Sequence, residues 1–147
     1  MDGASAVLDL YAGVGLFAVA LAALGRSGVT AVEGDRISGA DLRRNARAFG
    51  PSIDVHVAGV EEYLASGRAQ RPSAIIVDPP RAGLSKEAVG AIGAQGAALV
   101  VYVSCDPATL ARDTRRLVDS GYSLEAIRAF DLFPNTPHVE TLVRFVR

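Results

Sequence analysis

The chain contains a single cysteine, so no disulfide can form within it and the stapled framework of small secreted domains is excluded. It opens with MDGASAVLDL, which has no basic stretch leading into an apolar run, and no long uncharged apolar run follows anywhere. A cytoplasmic, soluble protein without a membrane partner is the expectation. An excess of one charge is also missing. The 15 basic and 16 acidic side chains leave a formal net charge of −1, without the overall basic character that by itself marks a nucleic-acid binder. Lys86 is the only lysine, and a coding bias toward arginine accounts for this as well as a need for bidentate phosphate contacts does. There is no internal repeat, low-complexity segment or linker. No metal is expected to take part.

What is present suits one domain, residues 1–147. Half of the residues are hydrophobic, enough to close a core at this length. Short apolar, β-branched runs recur at AVLDLY, GVTAVEG, IDVHVAG, SAIIVDPP and AALVVYVSC. Segments of helical spacing, such as GLFAVALAALG, DRISGADLRRNARAFG and DPATLARDTRRLVDSG, lie between them. Apolar strands alternating with amphipathic helices predict a doubly wound α/β layer with a mostly parallel sheet. The last third changes character: YSLEAIRAFDLFPNTPHVETLVRFVR has two strand-like runs and no helix between them, which predicts a C-terminal antiparallel strand pair.

In such a sheet ligands bind beyond the carboxyl ends of the strands, and the polar signatures fall there. LDLYAGVGLFAVA places Asp9 near the end of the first strand and Gly13 and Gly15 in the turn that follows, where glycine permits close backbone approach. With Ala18 this is a G-x-G-x-x-A pattern, and Glu33 ends the next strand where a ribose-binding acid belongs. A glycine turn serving only strand–helix packing is the competing reading. Asp9, four residues before Gly13, favours S-adenosylmethionine over a nicotinamide dinucleotide, since an acid can engage a methionine amino group but repels a pyrophosphate. Glu61 or Glu62 stands near where an adenine would lie, although first-turn helix acids need no ligand to explain them.

SAIIVDPPRAGLS ends the fourth strand with Asp78, Pro79, Pro80 and Arg81, a stiff loop with two residues lacking N–H groups. ALVVYVSCDP ends the fifth strand with Cys105, followed at once by Asp106 and Pro107. LDLYAGVGLF, VEGDRISGADLRRNA, IIVDPPRAGL, VYVSCDPATLARD and HVETLVRF, in this order, resemble the RNA 5-methyluridine methyltransferases over essentially all 147 residues. The resemblance implies a Rossmann-like class I methyltransferase sheet, S-adenosylmethionine as cofactor and C5 of uridine in tRNA or rRNA as target. It places Asp9, Tyr11, Gly13, Gly15, Glu33 and Asp78 at the cofactor, and Asp78, Pro80 and Arg81 at the RNA base or its phosphate. Cys105 becomes the nucleophile that adds to C6, and Glu140 the base that takes the C5 proton, with His138 as a supporting group.

Taken singly, a lone cysteine is a small buried hydrophobe and Glu140 a surface acid; the combination reverses both. Arg112, Asp113 and Arg115 are expected to be charges on a helix face. The family's N-terminal RNA-binding barrel and its upstream aromatic and glutamine residues are not among these 147 residues. A cofactor-binding or RNA-associated module without catalysis is therefore the competing class, and an NAD-binding oxidoreductase domain, resting on Gly13, Gly15 and Glu33, a third.

Overall fold

Apolar runs separated by helix starts with clear capping residues dictate the element order. Asp35 accepts a hydrogen bond from Ser38 N at 2.8 Å, Ser85 from Ala88 N at 3.0 Å and Asp106 from Thr109 N at 2.8 Å, each satisfying an amide that the helix itself cannot. The structure, a computed structural model, describes residues 6–69, 71–132, 134–136 and 139–147. Its strands are β1 (Val7–Leu10), β2 (Val29–Glu33), β3 (Ile53–Val57), β4 (Ala74–Val77), β5 (Leu99–Ser104), β6 (Ser123–Phe130) and β7 (Glu140–Val146). Its α-helices are α1 (Leu16–Ala23), α2 (Arg36–Ala46), α3 (Val60–Ala65), α4 (Lys86–Gln95) and α5 (Pro107–Asp119). None of the described helices is long and apolar enough to cross a membrane.

The sheet runs β3-β2-β1-β4-β5-β7-β6. The first five strands are parallel, and β7 is antiparallel to both of its neighbours. The expected doubly wound sheet with a C-terminal antiparallel pair is thus observed. Beyond that expectation, β7 inserts between β5 and β6, which makes β6 the largely exposed edge strand opposite β3. Strand order reverses between β1 and β4, whose carboxyl ends therefore flank the position where an open α/β sheet holds its ligand.

One face of the sheet carries Leu8, Leu10, Val32, Ile75, Val77, Val100, Tyr102, Val143 and Phe145, and α3, α4 and α5 bury it with Val60, Ile92 and Leu117. On the opposite face α1 and α2 cover Val29, Ala31 and Ile53 with Ala18, Leu42 and Ala46. That second cover stops near β1. Farther along the same face, Ile76, Val101, Val103 and Leu142 are only partly buried.

Candidate active site

Three residues with positive φ, Tyr11 (59°), Gly13 (55°) and Gly15 (98°), turn the chain from β1 into α1. A side chain at Gly15 would meet Leu42 Cδ1 at 2.6 Å, and a φ of 98° is one that L side chains rarely adopt, so conformation and packing both favour glycine here. At Gly13 an added Cβ would meet no protein atom within 4 Å; its glycine serves the left-handed turn and leaves room for a ligand. Two carboxylates fasten the turn. Glu33 accepts from Gly13 N at 2.7 Å and from Asp35 N at 2.6 Å, which ties the glycine turn to the end of β2. Asp9, wholly buried, accepts from Ala18 N at 3.0 Å through Oδ2, supplying the helix-start acceptor that the N-cap residue Gly15 lacks. Its Oδ1 is buried without a protein partner. Burial outweighs the Ala18 hydrogen bond and, with smaller additions from Asp78 and Glu33, pushes the Asp9 carboxyl up to about 7.

Beside this turn lies a cleft of about 490 Å³ lined by Tyr11, Gly13, Glu33, Gly34, Gly59, Val60, Glu61, Asp78 and Pro80. It sits at the carboxyl ends of β1 to β4. Glu61 and Glu62 belong to the first turn of α3, and Glu61 also accepts from the Ser85 hydroxyl at 2.7 Å. Another cleft, of about 540 Å³, reaches Val7, Val29, Asp54, His56, Tyr63 and Arg68. It opens at the amino ends of β1 and β2, away from the residues singled out above.

Asp78 follows β4 directly and stands exposed at the cleft. Partial desolvation there, and to a lesser extent the charge of Glu140, push its carboxyl up to about 6. Arg81 is exposed, and its charge acts on Asp106, the residue after Cys105. The loop then closes through Gly83 N donating to Pro80 O at 2.7 Å.

Cys105 is partly buried just past the end of β5. The acid and proline behind it now have a reason: Asp106 is the N-cap of α5 and Pro107 its first residue, the position where a missing N–H costs nothing. β5 and β7 pair Ser104 with Thr141, so the next positions outward along the two strands are Cys105 and Glu140. Strand alternation continued by one residue places Asp78 and Cys105 on the face that carries Asp9, Glu33 and Glu140. The five residues thus line one rim of the sheet. His138 lies outside the described residues. Among the described residues, no group of three or more His, Cys, Asp or Glu is placed to hold a metal ion.

Asp113 corrects the expectation of solvated helix charges, while Arg112 stays exposed on the helix surface. Asp113 is wholly buried and accepts from Leu84 N at 2.7 Å, Tyr102 Oη at 2.9 Å, Arg112 Nε at 2.9 Å and Arg116 Nη1 at 3.3 Å. Arg112 also donates to Ala82 O at 2.7 Å. Arg115 does behave as a surface charge, paired with Asp119 at 3.0 Å. A signal for Asp113 was present in the sequence: Leu110, Asp113 and Leu117 share the buried stripe of α5, so an acid stands in an apolar period. Gly34, Gly59 and Val60, which line the cleft, are further residues that the sequence reading did not single out.

The family described as tRNA (Uracil-5-)-methyltransferase matches residues 68–147. An uncharacterized RNA methyltransferase of Bifidobacterium longum is 42% identical over 152 residues, covering 99% of this chain and 35% of the relative. The 23S rRNA (uracil(1939)-C(5))-methyltransferase RlmD of Pseudomonas entomophila is 44% identical over 147 residues, covering 95% and 31%. Among solved structures, the Pyrococcus abyssi tRNA (uracil-54, C5)-methyltransferase in complex with S-adenosyl-L-homocysteine superimposes with a TM-score of 0.85 at 35% identity, covering 97% of this chain and 34% of that one. The chain spans about a third of the length of these relatives.

Proposed function

Because the chain belongs to the tRNA (uracil-5-)-methyltransferase family, we propose that it is the catalytic portion of an enzyme that methylates C5 of a uridine in RNA, with S-adenosylmethionine as the donor. Relatives named for a tRNA and for a 23S rRNA substrate both support RNA as the partner. The residues at the rim fit the cofactor. Asp9 Oδ1, buried without a protein partner, is an acceptor suited to an ammonium group. Glu33 stands at the cleft with carboxylate lone pairs beyond the two amides it already accepts, which suits ribose hydroxyls. Gly13 leaves the adjoining space open. When bound, S-adenosylmethionine supplies an electrophilic methyl group on a sulfonium.

Uracil C5 is a weak nucleophile until C6 is attacked. In the proposed reaction the Cys105 thiolate adds to C6 and the electron pair of the C5–C6 double bond becomes available at C5. After methyl transfer Glu140 removes the C5 proton, the double bond re-forms and the thiolate leaves, so the enzyme is regenerated. Asp78 and Pro80 line the cleft from the β4 side and hold the base edge. Arg81 meets the RNA backbone. The base must be turned out of any stack for both C5 and C6 to be reached.

The observation that carries this reading is the β5–β7 register, which makes Cys105 and Glu140 neighbours at the rim shared with Asp9 and Asp78. The test is mass spectrometry after incubation with S-adenosylmethionine and RNA containing 5-fluorouridine. Fluorine in place of the C5 hydrogen blocks elimination, so a methylated covalent adduct is expected, and Cys105→Ala should abolish it. A folded protein that forms no adduct, or one that forms it without Cys105, contradicts the reading.

A further inference from the structure

Two carboxylates are wholly buried among the described residues, Asp9 and Asp113, and the proposed reaction uses only the first. Unlike Asp9, Asp113 has both carboxylate oxygens taken by protein donors, so any part it plays is exerted through the groups it holds. Its four hydrogen-bond donors identify those groups. Leu84 N belongs to the loop after the two prolines, Tyr102 to the strand that ends just before Cys105, and Arg112 and Arg116 to the helix that begins two residues after Cys105. Arg112 Nη2 donates to Ala82 O at 2.7 Å and Arg116 Nη1 to Leu84 O at 3.3 Å. Gly83, at φ +74°, sits against this cluster so closely that a side chain there would collide with Asp113 and Arg112.

The arrangement follows from what prolines cannot do. Pro79 and Pro80 have no N–H to donate, so the loop can be tied down only through its carbonyls and through the amides that follow. Gly83 N is used to close the turn onto Pro80 O. The Leu84 amide and the carbonyls of Ala82 and Leu84 are taken by α5. The segments on both sides of Cys105, Tyr102 before it and α5 after it, therefore converge on the loop that presents Pro80 and Arg81.

We infer that Asp113, Arg112 and Tyr102 form a positioning set that fixes the Pro80–Arg81 loop relative to Cys105, so that a base held by the loop meets the thiol in one geometry. This rests on the methyltransferase reading above. A buried carboxylate held by two guanidinium groups contributes little net stability compared with apolar packing, whereas catalysis is steep in geometry: displacement of a reacting group by about 1 Å can cost on the order of a hundredfold in rate.

Arg112 is half-exposed, so Arg112→Ala should fold, and Tyr102→Phe removes a single hydroxyl from the other side of the cluster. The measurement is single-turnover formation of the Cys105 adduct with 5-fluorouridine RNA, alongside the dissociation constant for S-adenosylmethionine and the thermal midpoint. Both variants should form adduct at least about tenfold more slowly, with cofactor affinity within about twofold of wild type. Arg112→Lys should not restore the rate, because one ammonium cannot hold the Asp113 carboxylate and the Ala82 carbonyl in the guanidinium's planar geometry. Wild-type adduct with unchanged rates in both variants overturns the inference alone. Absence of adduct from the wild type overturns the methyltransferase reading, and the inference with it.

Discussion

The two buried carboxylates invite comparison because they do similar work with opposite surroundings. Asp9, under the glycine turn, accepts from Ala18 N through Oδ2, and its Oδ1 has no hydrogen-bond partner among the described residues. Asp113, under the proline loop, has four donors, two of them guanidinium groups. Each holds a loop at the cleft. Burial alone therefore does not state an acid's role: an unpaired oxygen in a low-dielectric site is costly unless a ligand completes it, while a fully satisfied carboxylate is a fixture of the fold. On this reading Asp9 is the open half of a binding site, and Asp113 is closed.

The largest effect should come from opening the closed one. Asp113→Ala leaves the Tyr102 hydroxyl and the Leu84 amide without their acceptor, and should cost about 3–5 kcal/mol in denaturant unfolding. A loss under about 1 kcal/mol would show that the cluster can rearrange, and the contrast would collapse. Next in size is Asp9→Asn. It should weaken S-adenosylmethionine binding by about ten- to a hundredfold, the worth of a charge-assisted hydrogen bond, as read by calorimetry. Unchanged affinity would remove Asp9 from the cofactor site.

The same substitution should also change the pH dependence of stability. The Asp9 carboxyl sits near 7 in the folded protein against an ordinary 3.8, so the ligand-free fold retains a proton that the unfolded chain releases. Its contribution to stability is therefore fully present below about pH 4 and lost as pH rises through about 7. Asp78, raised to about 6, acts in the same direction. Asp9→Asn should flatten the pH dependence of the thermal midpoint between pH 5 and pH 8, values chosen to bracket that titration. An unaltered slope would mean that Asp9 is not the titrating group. The smallest effect belongs to Asp106→Ala, which removes the α5 cap and should cost about 1 kcal/mol while the Asp113 cluster holds the rest of the helix in place.

Much of this architecture is legible in the sequence because a parallel sheet imposes strong rules. Strands buried on both faces read as apolar runs, and polar residues at or beside the ends of those runs are the candidates for binding; Asp9, Gly13, Glu33, Asp78 and Cys105 are singled out on that ground. The place of β7 between β5 and β6 is less legible, since periodicity identifies strands without assigning their neighbours. Asp113 escaped for another reason. A charge on an amphipathic helix is ordinarily solvated, and only its phase with Leu110 and Leu117 marks it as inward. Its partners Tyr102 and Leu84 are 11 and 29 residues away in sequence, so the contact depends on how β5, α5 and the proline loop pack together. Gly34 and Gly59 reach the cleft through the same tertiary convergence.

If Cys105 and Glu140 act in sequence on one uridine, Glu140→Gln should separate the two steps. With S-adenosylmethionine and RNA containing ordinary uridine, this variant should transfer the methyl group and then stall, because the C5 proton has no acceptor. Mass spectrometry should find a methylated nucleotide bound to the peptide that carries Cys105. Free 5-methyluridine produced by Glu140→Gln at the wild-type rate, with no adduct at Cys105, would contradict the account.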